Sequence, residues 1–403
     1  MRILYSVQRY GEEIVGGSET ACRLFAENLV HRGHDVTVLT SCALSYVDWA
    51  DHYPEGETFI NGVRVVRLPI EHVRDSEKFA ELHTAILRDP SRSTTGEQYE
   101  WLDAMGPVLQ HHSIELMKWA KQADVAVFMT YLYPTTVFGL SILAGEIPVI
   151  LQPTAHDEPP AYIPIFRRLF HSADSFLFLT EEERDVVSRI HHIEPVGRVA
   201  GIGMDLSQEI RDGKKFRYQF DLDDDPYIVY VGRLDTFKGV AELMRYFVEF
   251  KGRNPSNLRL VLAGEQVMEL PQIEDIRHVG FLTDDEKADA ISGSVALVQP
   301  SPFESFSIVL CEAWLQSRPV LVQGYSEVLT GQARRSEGGL PYNGFAEFEE
   351  CLLRLLNDSS LADELGANGR RYVLNNYDWD VVIKRFEETV ELAHQRFRER
   401  KTF

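Results

Sequence analysis

The stretch Tyr227-Ile228-Val229-Tyr230-Val231-Gly232-Arg233-Leu234-Asp235-Thr236-Phe237-Lys238-Gly239 decides the fold of this 403-residue chain. Its first five residues are apolar without polar alternation, the pattern of a strand covered on both faces. Gly232 ends that run, and Gly239 closes a short turn ahead of a helical pattern. The chain opens in the same manner. Ile3–Val7 is apolar, Gly11, Gly16 and Gly17 follow, and a helical pattern runs over Ser18–Arg32, with Ser18 as its N-cap and Gly33 as its stop. An apolar strand, a glycine loop and a helix, met twice in one chain, predict two α/β units with parallel sheets.

Working outward, further strands are expected at Arg2–Val7, Asp35–Thr40, Val63–Leu68, Asp124–Met129, Pro148–Gln152, Ser175–Thr180 and Arg198–Ile202. After a polar stretch over 203–226, read as a linker, more follow at Leu258–Ala263, Arg277–Val279, Ala296–Gln299 and Pro319–Gln323. Residues 71–117 fit the alternation poorly. They read as an inserted, partly helical segment with exposed aromatics at Tyr99 and Trp101, suited to acceptor recognition or to packing on the sheet. A long amphipathic helix is expected over about Asp380–Arg400. The predicted architecture is two doubly wound, Rossmann-like domains facing across a cleft: 1–204, 205–379, and a C-terminal helix, 380–403, packing back on the first. Ligands of such sheets bind at the strand C-termini.

Composition narrows the function classes. A net charge of −21 and a pI near 5.1 argue against nucleic acid and against broad docking on anionic lipid. Arg167-Arg168 and Arg334-Arg335 are too short to change that. Cys22, Cys42, Cys311 and Cys351 are scattered and suggest neither a disulfide framework nor a zinc site. No apolar run reaches the length of a membrane span, and the start of the chain enters a strand directly, without the apolar region of a signal peptide. A cytoplasmic protein is expected, its basic end Arg396-Phe397-Arg398-Glu399-Arg400-Lys401 at most touching the inner face of a membrane.

Chemistry concentrates in four places. Pro300–Trp314 holds Glu304 and Glu312 eight residues apart, the second in an otherwise apolar helix. A buried carboxylate needs a partner. A helix starting near Phe306 would present free amides and the positive end of its dipole to an anion, with Glu312 ~10 Å along its axis. That is the reach of a sugar nucleotide; a capped core helix with Glu312 in a salt bridge fits the spacing equally. Arg233 and Lys238, five residues apart, offer a fork and a point charge for phosphate, or are two solvated cations. Gly16-Gly17 before a helix permits close backbone approach, without dinucleotide spacing. His156, after the apolar strand ending in Gln152, belongs at a strand C-terminus. The pairs His111-His112 and His191-His192 read as surface residues. Asp223 and Asp225 read as a solvated acidic loop and not as a metal site.

In order along nearly the whole chain, these residues resemble the retaining glycosyltransferases of family 4, which have the GT-B fold. The resemblance rests on Gly16-Gly17-Ser18-Glu19, Ala155-His156-Asp157, Gly232-Arg233…Lys238-Gly239, Leu262-Ala263-Gly264, Val279-Gly280-Phe281-Leu282 and Pro300-Ser301…Glu304…Glu312-Ala313. It implies that Arg233 and Lys238 bind the diphosphate and that Glu304 and His156 meet the donor sugar. It further implies that Glu312 meets the ribose, that Phe281 and Leu282 lie by the base, and that Gly16, Gly17 and Gly232 let backbone approach the donor. The amides of Ser305, Phe306 and Ser307 would serve the diphosphate. Many relatives have glycine where this chain has Ser305 and Ser307, so a stiffer loop is expected. The segment from Ser326 to Tyr342 is longer than the commonest form.

The resemblance implies hexose transfer from a UDP- or GDP-linked sugar to an acceptor hydroxyl, with retention, no metal and no further cofactor. The acceptor class stays open between a sugar, a lipid-linked sugar and a small metabolite. A sugar phosphorylase on the same scaffold and a non-catalytic nucleotide-sugar binder are the rival readings.

Overall fold

The structure is a computed structural model that describes residues 1–14 and 16–402. Its chain divides into two compact units. Met1–Ile202 together with the chain from Trp379 onward forms the first, and Gly203–Asp378 the second.

The first unit holds β1 (Arg2–Ser6), β2 (Asp35–Ser41), β3 (Gly56–Ile60), β4 (Val63–Leu68), β5 (Val125–Met129), β6 (Val149–Gln152), β7 (Ser175–Phe178) and β8 (Gly197–Val199). They form one sheet in the order β3-β4-β2-β1-β5-β6-β7-β8, parallel except for the β3–β4 hairpin. Every residue of β5, β6 and β7 is buried, as their apolar runs require. The helices are α1 (Gly17–His31), α2 (Ser76–Leu87), α3 (Thr95–Met105), α4 (His112–Ala120), α5 (Pro134–Leu143), α6 (Pro164–Ser172) and α7 (Glu181–His191). The last helix of the chain, Trp379–Lys401, also belongs here and packs on β6, β7, β8 and α1. It buries Val382, Ile383, Phe386, Val390 and Ala393, spaced as one helical face. Phe386 lies over Tyr5 and Phe25, and Trp379 meets Phe25 edge-on at 5.5 Å. Its basic end is anchored: Arg400 donates to the carbonyls of Ser172 and Ala173 and pairs with Asp174 at 3.3 Å.

The second unit holds β9 (Tyr227–Val231), β10 (Arg259–Ala263), β11 (Ile276–Gly280), β12 (Ala296–Gln299), β13 (Val320–Gln323) and β14 (Gly339–Tyr342), all parallel, in the order β11-β10-β9-β12-β13-β14. Renumbered within the unit this is 3-2-1-4-5-6, the doubly wound order, whose crevice opens where the order reverses, between β9 and β12. Around the sheet lie α8 (Lys214–Gln219), α9 (Val240–Arg253), α10 (Asp284–Ser292), α11 (Ile308–Leu315), α12 (Glu327–Ser336), α13 (Phe345–Asn357) and α14 (Ser359–Asn376). Each unit has its own apolar core.

Several expectations are corrected. The 203–226 stretch is not a loose linker. It contains α8, whose Phe216 is buried, and Arg217 ties it down by donating to the carbonyls of Asp225 and Gly293, both at 2.7 Å. Asp225 is not a solvated loop carboxylate, since Arg259 holds it at 2.7 Å. In the inserted segment, Trp101 is buried against Phe166 and donates to His83 Nδ1 at 3.2 Å, whereas Tyr99 stays exposed. α4, at the end of this segment, packs on α5. His191 is buried and stacks on Phe170 at 4.0 Å, and Nε2 of His112 is enclosed, so neither is a surface residue. Burial pushes both imidazoles down to about 4. Among the described residues no helix is long and apolar enough to cross a membrane, no cysteine is bridged, and no cluster of three metal-ligating side chains occurs.

Candidate functional site

In the second unit the loops after β9 and β12 meet at the reversal point of the sheet. β9 ends at Val231, and Tyr230 turns its hydroxyl to donate to the Arg233 carbonyl at 2.8 Å. Asp235 accepts from the Phe237 amide at 2.8 Å and so caps the short turn Thr236–Lys238; its carboxylate also pairs with Arg233 at 2.8 Å. Gly239 then takes φ 75, and a Cβ there would run into the Pro300 carbonyl oxygen. Only glycine lets the β9 loop sit this close to the end of β12. The approach sets Lys238 against Glu304, Nζ to Oε1 at 2.8 Å, with the carboxylate mostly enclosed and the ammonium about one-third exposed (13% and 35%). Two residues 66 apart in sequence thus form one ion pair. Gly232 belongs to the same edge, its carbonyl packed against Gly264 after β10.

The helix beyond Glu304 starts later than expected, at Ile308 and not near Phe306. Ser307 adopts left-handed φ 66 and precedes the first turn without a side-chain cap, while its hydroxyl accepts from Gln299 Nε2 at 3.2 Å. Phe306 is buried edge-on to Tyr377 at 5.0 Å, and its carbonyl accepts from Gln332. The Phe306 side chain therefore belongs to the core. Ser305 is half-buried between Glu304 and this turn. Glu312 is not buried as its apolar surroundings suggested: it is about one-fifth exposed and pairs with Lys287 of α10 at 2.6 Å. Burial pulls the Lys287 ammonium down, but Glu312 and Asp284 together pull it further up, so it is held charged. Sequence reasoning missed Lys287, a lone cation closing the acidic run Asp284-Asp285-Glu286. Phe281 is largely exposed beyond the end of β11, and Leu282 is buried behind it.

In the first unit the expected residues also lie beyond strand C-termini. Gly16 precedes α1 with extended backbone, and Gly17, not Ser18, is the first helical residue. Ser18 is no cap, because its hydroxyl donates to Glu19 at 2.7 Å. Open space surrounds the position of a Cβ on Gly17. Glu19 is buried and pairs with the equally buried Arg9, which follows β1, at 2.5 Å. Val15 of this loop lies outside the described residues.

His156 follows β6 and faces Glu158 at 3.7 Å; Tyr131 donates to the same carboxylate at 2.7 Å. The loop carrying His156 is held from below by Glu183, a residue that sequence reasoning missed. Its carboxylate accepts from the Ala155 amide at 2.8 Å and the Leu179 amide at 2.6 Å. Thr180 before α7, followed three residues later by Glu183, was the signal that could have drawn attention to it.

Comparison with known proteins adds to this geometry. Residues 16–200 match the family described as glycosyl transferase 4-like domain, and residues 212–372 match glycosyl transferases group 1. A glycogen synthase from Mycobacterium tuberculosis is 23% identical over 95% of this chain and 92% of its own. Among solved structures, sucrose-phosphate synthase from Thermosynechococcus elongatus superposes with a TM-score of 0.69 at 18% identity, covering 96% of this chain and 97% of that one. Anabaena HepE in complex with UDP and glucose superposes at 0.67 with 13% identity, covering 97% and 99%. At these identities the likeness to the solved structures is one of fold.

Proposed function

Because the chain belongs to the group 1 glycosyltransferases, of GT-B fold, we propose that it transfers a hexose from a UDP- or GDP-linked sugar to an acceptor hydroxyl with retention at the anomeric carbon. The observation that carries this reading is the Lys238–Glu304 pair at the reversal point of the second sheet, beside Arg233 and the uncapped start of α11. HepE, solved with UDP and glucose, supports a nucleotide-sugar donor.

The bond from the anomeric carbon to the diphosphate oxygen breaks, and its electron pair leaves with the diphosphate. The acceptor oxygen bonds to the same face of that carbon and passes its proton to the leaving phosphate oxygen. Arg233, Lys238 and the start of α11 supply positive charge where negative charge develops, without a metal in the scheme. Glu304 orients the sugar hydroxyls and holds Lys238 in place. Glu312 takes the ribose hydroxyls while Lys287 fixes its carboxylate. Phe281 and Leu282 lie by the base, and the amides of Ser305, Phe306 and Ser307 by the diphosphate. In the first unit, His156 serves the sugar and the acceptor, and Gly16-Gly17 gives the backbone room to approach the donor.

A thermal-shift panel of UDP, GDP, ADP and their sugars identifies the donor, and turnover with that donor tests the site. Lys238→Ala and Glu304→Ala should each lower turnover ~100-fold or more, the scale of losing one charge-stabilising group. Turnover at the unmodified rate in both variants would sink the assignment. Activity that needs inorganic phosphate and ignores every nucleotide would favour a phosphorylase, and donor binding without turnover on any acceptor would favour a binding protein.

A further inference from the structure

Beyond β4, at the carboxyl edge of the first unit's sheet, stands an arginine that the reaction scheme does not use. Arg74 lies near the start of the 71–117 segment and is half-buried. Its guanidinium lies over two aromatic rings, with Cζ 5.4 Å from the Trp49 ring centre and 4.6 Å from that of Phe79. One edge of the fork, Nε and Nη2, donates to the Met105 carbonyl. No carboxylate lies within ion-pair distance of it among the described residues. Arg9 on the same sheet edge is different, being neutralised by Glu19. Glu158, another carboxylate of this edge, is engaged by Tyr131 and His156.

We infer that Arg74 binds an anionic group, a carboxylate or a phosphate, carried by the acceptor sugar; this rests on the glycosyltransferase reading. A guanidinium with one edge committed keeps a second edge of parallel N–H donors, which matches two anionic oxygens. The cation–π contacts with Trp49 and Phe79 hold it in place. Burial disfavours the charge, and only Tyr133 and Tyr46 offset that, so an arriving anion would restore what desolvation removed. His83 adds a second donor. Trp101 donates to its Nδ1, which leaves the ring proton on Nε2, and burial holds the imidazole below its ordinary value and hence neutral. The half-buried rings of Tyr46, Phe79 and Tyr133 around this guanidinium suit the apolar face of a sugar.

The test uses the full chain without nucleotide, so that it does not depend on the donor. The probes are glucose 6-phosphate, glucuronate, inorganic phosphate and glucose, titrated by calorimetry into the unmodified chain, Arg74→Met, Arg74→Gln and Lys238→Ala. Arg74→Gln keeps a donor for the Met105 carbonyl, and ligand-free melting checks the fold of both Arg74 variants. Glucose 6-phosphate or glucuronate should bind at least tenfold more tightly than glucose, and that preference should vanish in both Arg74 variants and persist in Lys238→Ala. Which of the two anionic sugars responds tells phosphate from carboxylate. No preference for either, or a preference that survives Arg74→Gln or disappears with Lys238→Ala, would overturn the inference. Nucleotide binding should be unchanged in the Arg74 variants; its absence from the unmodified chain would overturn the donor reading alone.

Discussion

Among the described residues no ion pair reaches Glu183. It is fully buried, and its carboxyl group accepts from backbone amides. Burial pushes its pKa up to about 8, against the opposing pull of the amides of Leu179, Ala155, Thr180 and Thr154. Between its ordinary value near 4.5 and about 8, the folded chain holds a proton here that the unfolded chain has released. Stability therefore falls as pH rises through that window, and the loss is complete once both states are ionised. Each unit of displacement is worth ~1.4 kcal/mol, so the effect amounts to several kcal/mol. His112 and His191 act with the opposite sign below about pH 6.5, because their imidazoles are kept neutral in the fold. Urea unfolding of the native chain from pH 6.5 to 8 should show a declining limb, and Glu183→Gln should flatten it. A limb that persists unchanged in the variant would mean that Glu183 is not its source. Nothing in the sequence marks these three residues as buried, and the two histidines read there as surface residues. What buries them arrives from other elements: Phe170 for His191, and the Thr154–Ala155 loop for Glu183.

Among the elements, the β9 loop is held in place by a close backbone approach. Gly239 combines left-handed φ with contact against the Pro300 carbonyl, so an alanine there meets two penalties. The backbone conformation alone costs ~1–2 kcal/mol for a residue with a Cβ. The clash must then move the β9 loop off β12, which separates Lys238 from Glu304. Gly239→Ala should thus lower the unfolding free energy by at least that amount and reduce turnover far more than the unfolded fraction explains. Unchanged turnover would show that this contact does not set the pair. The strand itself was legible, as were β5, β6, β12 and β13, because a strand buried on both faces prints an unbroken apolar run. β3 and β14 were not. Gly56–Ile60 is almost wholly exposed and pairs only at the sheet edge, although Asn61-Gly62, both at positive φ, marks its hairpin with β4. Gly339–Tyr342 contains a proline that an edge strand tolerates and a central one does not. The site divides in the same way. Arg233, Lys238, Glu304 and Glu312 could be picked out singly, since charge at a strand end or in an apolar helix is conspicuous. Their pairings could not, because Lys238 meets Glu304 and Lys287 meets Glu312 only through the order of the sheet and the packing of α10 on α11.

At the scale of the whole molecule, the first unit closes only with the last residues of the chain. Its sheet is laid down by Ile202, yet one face waits for the helix Trp379–Lys401, which arrives after the entire second unit. Phe386 is the centre of that seam, fully buried against Tyr5 of β1 and Phe25 of α1. Removing a buried phenylalanine ring costs ~3–5 kcal/mol. Phe386, Tyr5 and Phe25 all belong to the first unit, so this loss should fall there. Hydrogen exchange read by mass spectrometry separates the two units, since amides open with the free energy of the unit that holds them. In Phe386→Ala, peptides from β1, α1, β6 and β7 should exchange faster by two orders of magnitude or more, while those from β9, β12 and α11 keep their protection. Donor nucleotide should do the converse, slowing exchange in the second group by mass action. Equal loss of protection across both groups would show that the units fold as one body and would move the domain boundary from Ile202 and Trp379.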